Sequence, residues 1–126
     1  MKTLLLDTNF LLLAGTKGKN ALNDLESLIA EQHQLATLTS IVSDLESMKE
    51  SSSKRAAAAK VALKLIEQKK IKVLETSLKA DESLADYAIK HEDTIVCTND
   101  GELKKELKKH NIEVVGPKGR KYLTFI

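Results

Sequence analysis

Four aspartates stand where the apolar pattern or a strand end would turn a carboxylate inward: Asp7, Asp44, Asp81 and Asp100. Asp7 directly follows one apolar run, and Asp100 comes at the end of the run Ile95-Val96-Cys97-Thr98-Asn99, so both lie at the carboxyl ends of predicted strands. Asp44 and Asp81 have apolar neighbours at helical spacing, which places them at the buried side of a helix. Most of the other acids lie near lysines at positions predicted to be exposed, where a charged residue needs no function. We therefore expect the chemistry to come from these four aspartates.

Carboxylates gathered at one place repel one another unless protons or cations lie between them. No Lys or Arg lies within the four short motifs to neutralise them. Mg²⁺ and Mn²⁺ prefer oxygen ligands and keep several waters, so either ion is the natural complement of such a cluster. A carboxylate site of this kind can activate water and stabilise charge on a phosphodiester. The residues therefore predict metal-assisted hydrolysis of phosphodiesters.

Small polar residues flank the four acids, among them Asn9, Thr98 and Asn99. Their hydroxyl and amide groups can hydrogen-bond the carboxylates or metal-bound waters. We expect these three residues to support the site rather than to bind metal themselves.

Short runs rich in Val, Ile and Leu alternate with longer segments of helical period, which is typical of an α/β protein with a parallel sheet. The predicted strands are 3–6, 35–39, 71–74, 94–98 and 112–115. The predicted helices are about 20–31, 41–50, 54–69, 80–91 and 101–110, and the tail 121–126 can add an edge strand. In such a sheet the strand ends and the first turns of the following helices meet at one edge, so the four aspartates can converge.

The length of 126 residues, with 42% hydrophobic and 30% charged side chains, predicts one domain over residues 1–126. A net charge of +2 excludes nucleic-acid binding by bulk charge, so such a partner would need a local basic patch.

The apolar runs are too short for a membrane span or signal peptide, which predicts a soluble cytoplasmic protein with no membrane partner. The single Cys97 is expected as a small buried hydrophobe.

Four motifs together resemble those of the PIN-domain nucleases, in the same order and over essentially the whole chain. They are Asp7-Thr8-Asn9, Asp44-Leu45, Ala80-Asp81-Glu82-Ser83-Leu84 and Thr98-Asn99-Asp100-Gly101-Glu102-Leu103. The resemblance implies a three-layer Rossmann-like sandwich with a parallel sheet of about five strands. It also implies Mg²⁺- or Mn²⁺-dependent cleavage of single-stranded RNA. Asp7, Asp44, Asp81 and Asp100 match the catalytic metal-binding acids of the family, and Asn9 and Thr98 match its supporting polar positions.

Two positions depart from the family pattern. The second acid is commonly Glu, whereas Asp44 is shorter by one methylene and has Glu46 two residues away as a less favoured substitute. In the third motif, Glu82 and Asp86 lie close to Asp81, and either can share its role. The tail 114–121 resembles the archaeal and eukaryotic ribosome-processing branch more than typical toxin ribonucleases.

Two short basic segments are candidates for binding the phosphates of a nucleic acid. Lys17 and Lys19 belong to a predicted loop after Asp7, which would leave the sheet at the same edge as the acids. Lys118 and Arg120 belong to the glycine-containing tail. Each phosphate neutralised should steepen the salt dependence of binding to a single strand by roughly 0.7.

Several other α/β enzymes are excluded by missing motifs. Neither a Gly-rich dinucleotide motif nor a P-loop follows the first strand, and Asn9 occupies the place of the second Asp of haloacid-dehalogenase-type phosphatases. Two alternatives stay open: a toxin ribonuclease held inactive by an antitoxin, and a non-catalytic RNA-binding subunit with the same fold. The partners to consider are therefore single-stranded RNA, a second copy of the chain, an antitoxin or a ribosome-assembly factor.

Overall fold

The computed structural model describes residues 1–17, 19–118 and 122–126, without the side chains of Lys19, Asp81 and Tyr122. Strands and helices alternate along the described chain. In order, the elements are β1 (Lys2–Leu6), α1 (Thr8–Lys17), α2 (Lys19–Leu28), β2 (His33–Leu38), α3 (Thr39–Met48), α4 (Lys54–Gln68), β3 (Lys72–Leu74), α5 (Ala80–Lys90), β4 (Thr94–Cys97), α6 (Gly101–Lys109), β5 (Glu113–Lys118) and β6 (Tyr122–Phe125).

The strands form one sheet in the order β3-β2-β1-β4-β5-β6. The first five strands are parallel, and β6 pairs antiparallel with β5 at the edge. α1 packs on α2 and α4, whereas α5 packs on α6. Because parallel crossovers are right-handed, these two groups of helices cover opposite faces of the sheet. The result is the predicted three-layer α/β sandwich, and the predicted edge strand in the tail is confirmed as β6.

β1 and β4 lie side by side in the middle of the sheet, where the strand order reverses. Both strands are covered on both faces: Leu4, Leu5, Leu6, Val96 and Cys97 have no exposed surface. Ligands of open α/β sheets bind outside the carboxyl ends of the strands at such a reversal, because the helices diverge there and leave a crevice. Asp7 and Thr98 directly follow these two strands, which places them at this crevice.

The first helix is the main element that the sequence pattern did not predict. The sequence pattern predicts a loop after Asp7, whereas residues Thr8–Lys17 form α1. Phe10, Leu11, Leu12 and Ala14 are all buried, so the helix lacks the one-sided apolar stripe that indicates a surface helix. As a consequence, Lys17 ends a helix about 14 Å from its start at the sheet edge, rather than lying in a loop beside Asp7.

Among the described residues, no helix is both long and apolar enough to cross a bilayer.

Gly15 permits the close crossing of α1 and α4. A Cβ at this position would lie 2.1 Å from the carbonyl oxygen of Ala58, and backbone cannot move aside as a flexible side chain can. We expect Gly15→Ala to lower the free energy of unfolding by about 1–3 kcal/mol, the usual cost of overpacking. Urea denaturation measures the change.

Gly101 provides the matched control, because a Cβ there would meet nothing within 4 Å. Gly101→Ala should be neutral or stabilise by up to about 1 kcal/mol, as Gly→Ala usually does in a helix. Equal urea midpoints for the Gly15 and Gly101 variants would contradict the close crossing.

Candidate active site

Asp7 is a buried carboxylate held by hydrogen bonds at the end of β1. Its side chain is only 4% exposed. Oδ1 accepts a hydrogen bond from the backbone N–H of Phe10 at 2.7 Å, and Oδ2 accepts one from the hydroxyl of Thr98. Such bonds offset the cost of burying a charged group and fix its orientation. Asp7 therefore caps the N-terminus of α1 and also presents a fixed carboxylate at the crevice.

Thr98 connects Asp7 with Asp100. The Thr98 side chain is fully buried, and its Oγ1 also accepts a hydrogen bond from the backbone N–H of Asp100 at 3.0 Å. The register of the sheet explains the position, because Leu6 lies opposite Cys97 and the next residues of both strands are therefore neighbours. One hydroxyl thus contacts the first predicted acid and the backbone of the fourth.

Asp100 stabilises the start of α6. Its Oδ1 accepts hydrogen bonds from the backbone N–H groups of Glu102 at 2.9 Å and Leu103 at 3.2 Å. This is the N-cap arrangement, in which a side chain satisfies helix donors that have no partner within the helix. The carboxylate is partly exposed and lines a groove between α5 and α6.

Asp44 is hydrogen-bonded to Thr8, the residue that follows Asp7. Asp44 is half-buried on α3, and its Oδ2 accepts a hydrogen bond from Thr8 Oγ1 at 3.3 Å. Glu46, the alternative acid on this helix, is exposed and pairs with Lys49 at 2.6 Å, which is the behaviour of a surface charge. The structure therefore brings Asp44, rather than Glu46, to the residues around Asp7.

The third predicted motif is at the start of α5. Asp81 belongs to the first turn of that helix, but its side chain lies outside the described part of the structure. The hydroxyls of Ser40 on α3 and Ser83 on α5 are 2.8 Å apart, and Ser83 is buried. This contact brings the first turn of α5 against α3, the helix that carries Asp44.

A groove of about 420 Å³ separates α5 from α6, and we call it the acidic groove. Glu82, an exposed residue predicted to support the site, and Asp100 both line it. The six lining residues are Glu82, Ala85, Asp100, Glu102, Leu103 and Glu106.

A second groove, of about 480 Å³, runs beside α1 and the start of α4, and we call it the basic groove. Asn9 and Asn99, both exposed and both predicted to support the site, line it. Its other polar residues are Thr16, Lys54 and Arg55, and its apolar residues include Leu13 and Pro117.

The donor chemistry of the site suits a hard divalent cation. Asp7, Asp44 and Asp100 offer carboxylate oxygens, which are the ligands that hard divalent cations prefer. Among the described side chains, no three acids, imidazoles or thiols are close enough to form a ready-made metal cluster. The hydroxyl of Thr98 donates to Asp7 and accepts from the backbone N–H of Asp100, and the hydroxyl of Thr8 donates to Asp44. Carboxylates that do not converge on one point can still hold an ion that keeps several of its waters, as Mg²⁺ does.

Cys97 is buried directly before Thr98, as the sequence predicted. Burial and the charge of Asp7 both raise the pKa of its thiol, burial being the larger cause. The thiol therefore remains protonated at neutral pH, and Cys97 serves the site as packing rather than as a nucleophile.

The structure describes the side chains of two of the four predicted basic residues, Lys17 and Lys118. Lys17 follows the groove residue Thr16, and Lys118 follows the groove residue Pro117; both lysines are exposed. Lys19 begins α2, but its side chain is not among those described, and Arg120 lies in the undescribed segment 119–121.

Sequence reasoning missed Lys54 and Arg55. α4 begins at Lys54, as predicted, and Ser53 caps it by accepting a hydrogen bond from the N–H of Ala56. No local pattern indicated that this end of α4 would lie beside Asn9, because α1 itself was not predicted.

Comparison with known proteins shows relatives of the whole chain. Residues 4–120 match the model of a family described as PIN like domain. Ribonuclease VapC4 of Methanocaldococcus jannaschii is 34% identical over 119 residues, covering 92% of this chain and 90% of that protein.

Two solved structures have a similar fold. The PIN domain endonuclease Utp24 superposes with a TM-score of 0.78 and 16% identity, over 98% of this chain and 90% of that one. The second is the crystal structure of VapBC2 from Rickettsia felis, which is bound to a DNA fragment from its promoter. It superposes with a TM-score of 0.64 and 18% identity, over 92% of this chain and 99% of that one. At these identities the two structures are evidence of a common fold alone.

Proposed function

Because this chain belongs to the PIN-like domain family, we propose that it is a divalent-cation-dependent endoribonuclease that cleaves single-stranded RNA. Two hydroxyl contacts at the sheet edge carry the proposal. Thr98 Oγ1 joins the carboxylate of Asp7 to the backbone N–H of Asp100, and the hydroxyl of Thr8, the residue after Asp7, donates to Asp44. The relative named as a ribonuclease, which aligns over 92% of the chain, supports the same activity.

Asp7, Asp44 and Asp100 would hold Mg²⁺ or Mn²⁺ in this proposal, with Asp81 as the fourth ligand. The bound ion would lower the pKa of its water and stabilise the charge developing on the phosphodiester. Thr98 and the N–H of Phe10 fix the two oxygens of Asp7 by hydrogen bonds. The hydroxyl of Thr8 donates to one oxygen, Oδ2, of Asp44, which is shorter than the glutamate common at this position in the family. Glu82 would supply a further carboxylate from α5.

The direct test incubates the protein with a 5′-labelled single-stranded RNA in Mn²⁺ and resolves the products on a gel. Internal fragments are expected from the single strand, with little product from the same RNA annealed to its complement or from DNA of the same sequence. Intact RNA after prolonged incubation would instead support the non-catalytic RNA-binding alternative, provided that the protein is folded.

A second candidate role keeps the same chemistry but adds a protein partner. We propose that the chain is a toxin ribonuclease held inactive by an antitoxin, because its 34% identical relative is named Ribonuclease VapC4. A short adjacent gene whose product co-purifies with this protein and blocks RNA cleavage would support this role. A homodimer is also proposed, and light scattering of the purified protein tests it.

A further inference from the structure

The site lies between two grooves of opposite charge. Asp100 lines the acidic groove, and its neighbour Asn99 lines the basic groove. The acidic groove carries four carboxylates, on Glu82, Asp100, Glu102 and Glu106. The residues that the structure describes around the basic groove include two cations and no carboxylate. A polyanion that approaches the site is therefore repelled on one side and attracted on the other.

Lys54 and Arg55 are available to an anion. Both side chains are exposed, and neither forms an ion pair within the described part of the chain. They are the first two residues of α4, a helix of 15 residues, so its N-terminal dipole adds to their positive charge. The two side chains are thus suited to contact phosphate groups.

The rest of the basic groove suits bases and sugars rather than phosphates. Leu13 and Pro117 are half-buried and give the groove an apolar wall against which a base can pack. Asn9 and Asn99 are exposed amides next to Asp7 and Asp100 in sequence, and amides can hydrogen-bond base edges or the 2′-hydroxyl. From Asn9 to Thr16 the groove follows α1 for about 10 Å. That length matches about three stacked nucleotides.

We propose that the basic groove binds the part of a single-stranded RNA next to the cleaved phosphodiester. Lys54 and Arg55 contact its phosphates, and the wall formed by Leu13 and Pro117 contacts its bases. This inference rests on the proposed ribonuclease function. It names residues outside the acid cluster that determine how strongly the substrate binds.

The test compares two double variants of the same helix. Lys54→Gln with Arg55→Gln removes both cations from the basic groove. Lys60→Gln with Lys64→Gln removes two exposed cations from the same helix, and at 100° per residue these point roughly opposite to the first pair. Both variants therefore lose the same charge from one helix, and only the first loses it at the groove.

Binding of a fluorescein-labelled 12-nucleotide RNA is measured by anisotropy in EDTA at several salt concentrations, with a gel to confirm that the RNA stays intact. The Lys54/Arg55 variant should bind at least about 10-fold more weakly, and its slope of log affinity against log salt should fall by about 1.4, the contribution of two phosphates. The Lys60/Lys64 variant should bind within about 2-fold of wild type with the slope unchanged. Equal melting temperatures of the variants show that the fold is retained.

Three outcomes would overturn the groove proposal: no RNA binding by the wild type, unchanged binding by the Lys54/Arg55 variant, or equal weakening of both variants. The last outcome would mean that bulk charge, rather than the groove, attracts RNA. Failure of the proposed ribonuclease function would look different. The Lys54/Arg55 variant alone would bind RNA more weakly, but the wild-type protein would not cleave RNA in Mn²⁺. Failure of the groove alone would appear as cleavage by the Lys54/Arg55 variant with unchanged KM.

Discussion

Asp7→Asn is expected to lower RNA cleavage about 10³-fold without unfolding the protein. The amide of Asn keeps the shape of the side chain, can still accept from the N–H of Phe10 and can donate to Thr98, and Asn is a good N-cap. What disappears is the negative charge that would hold the cation. A bound cation supplies several kcal/mol of charge stabilisation, and about 4 kcal/mol corresponds to about 10³-fold in rate. Single-turnover cleavage of labelled single-stranded RNA in Mn²⁺ measures the loss.

Glu46→Gln is the matched control, because Glu46 is an exposed acid of α3 that pairs with Lys49 at the surface. It should cleave at the wild-type rate. Wild-type cleavage by a folded Asp7→Asn variant would exclude Asp7 as a metal ligand. Loss of cleavage in Glu46→Gln would instead indicate that Glu46, rather than Asp44, is the acid used from α3.

Asp100 has a structural role and a proposed catalytic role that two substitutions can separate. Asp100→Asn keeps an oxygen to accept from the N–H groups of Glu102 and Leu103, so stability should change little. Its cleavage rate should fall about 10²-fold, equivalent to about 2.7 kcal/mol. Asp100→Ala should lose a similar amount of activity and also about 1 kcal/mol of unfolding free energy, because the cap is removed. Urea denaturation and single-turnover cleavage measure the two effects.

The two Asp100 variants together distinguish a helix cap from a carboxylate that also acts at the site. Full activity in Asp100→Asn together with reduced stability in Asp100→Ala would make Asp100 a helix cap only. Reduced activity in both, with reduced stability only in Asp100→Ala, is the pattern expected if the carboxylate also acts at the site.

The sequence pattern was sufficient to predict the α/β fold class and the places of Asp7 and Asp100 after central strands. Central strands such as β1 and β4 are apolar on both faces and therefore appear as continuous runs of Leu, Ile and Val. A residue that follows such a run directly, as Asp7 does, or within three positions, as Asp100 does, emerges at the carboxyl edge. The α/β fold class and the edge strand in the tail were predicted on the same basis.

The hydrogen-bond partners of those acids could not be predicted, because they depend on the strand register and on helix packing. Thr98 reaches Asp7 because Leu6 pairs with Cys97, and no local pattern specifies that pairing. The sequence pattern places Asp44 on the buried side of a helix. Its contact with Thr8 depends in addition on where α1 begins and on how α3 packs against that end of α1.

The basic groove was missed for a related reason. α1 is apolar on nearly all sides, so it carries no helical period, and without α1 the groove has no wall. Lys54 and Arg55 are distant in sequence from the acids, and only the crossing of α1 and α4 at Gly15 brings them near Asn9.

The dependence of cleavage on a divalent cation tests the central claim most directly. Protein stripped of metal with EDTA and then dialysed should leave labelled single-stranded RNA intact. Adding Mn²⁺ or Mg²⁺ should restore internal cleavage in a saturable manner, and Asp7→Asn should not respond at the same concentrations. Undiminished cleavage by the folded wild-type protein in excess EDTA would contradict the proposal that Asp7, Asp44 and Asp100 act by holding a cation.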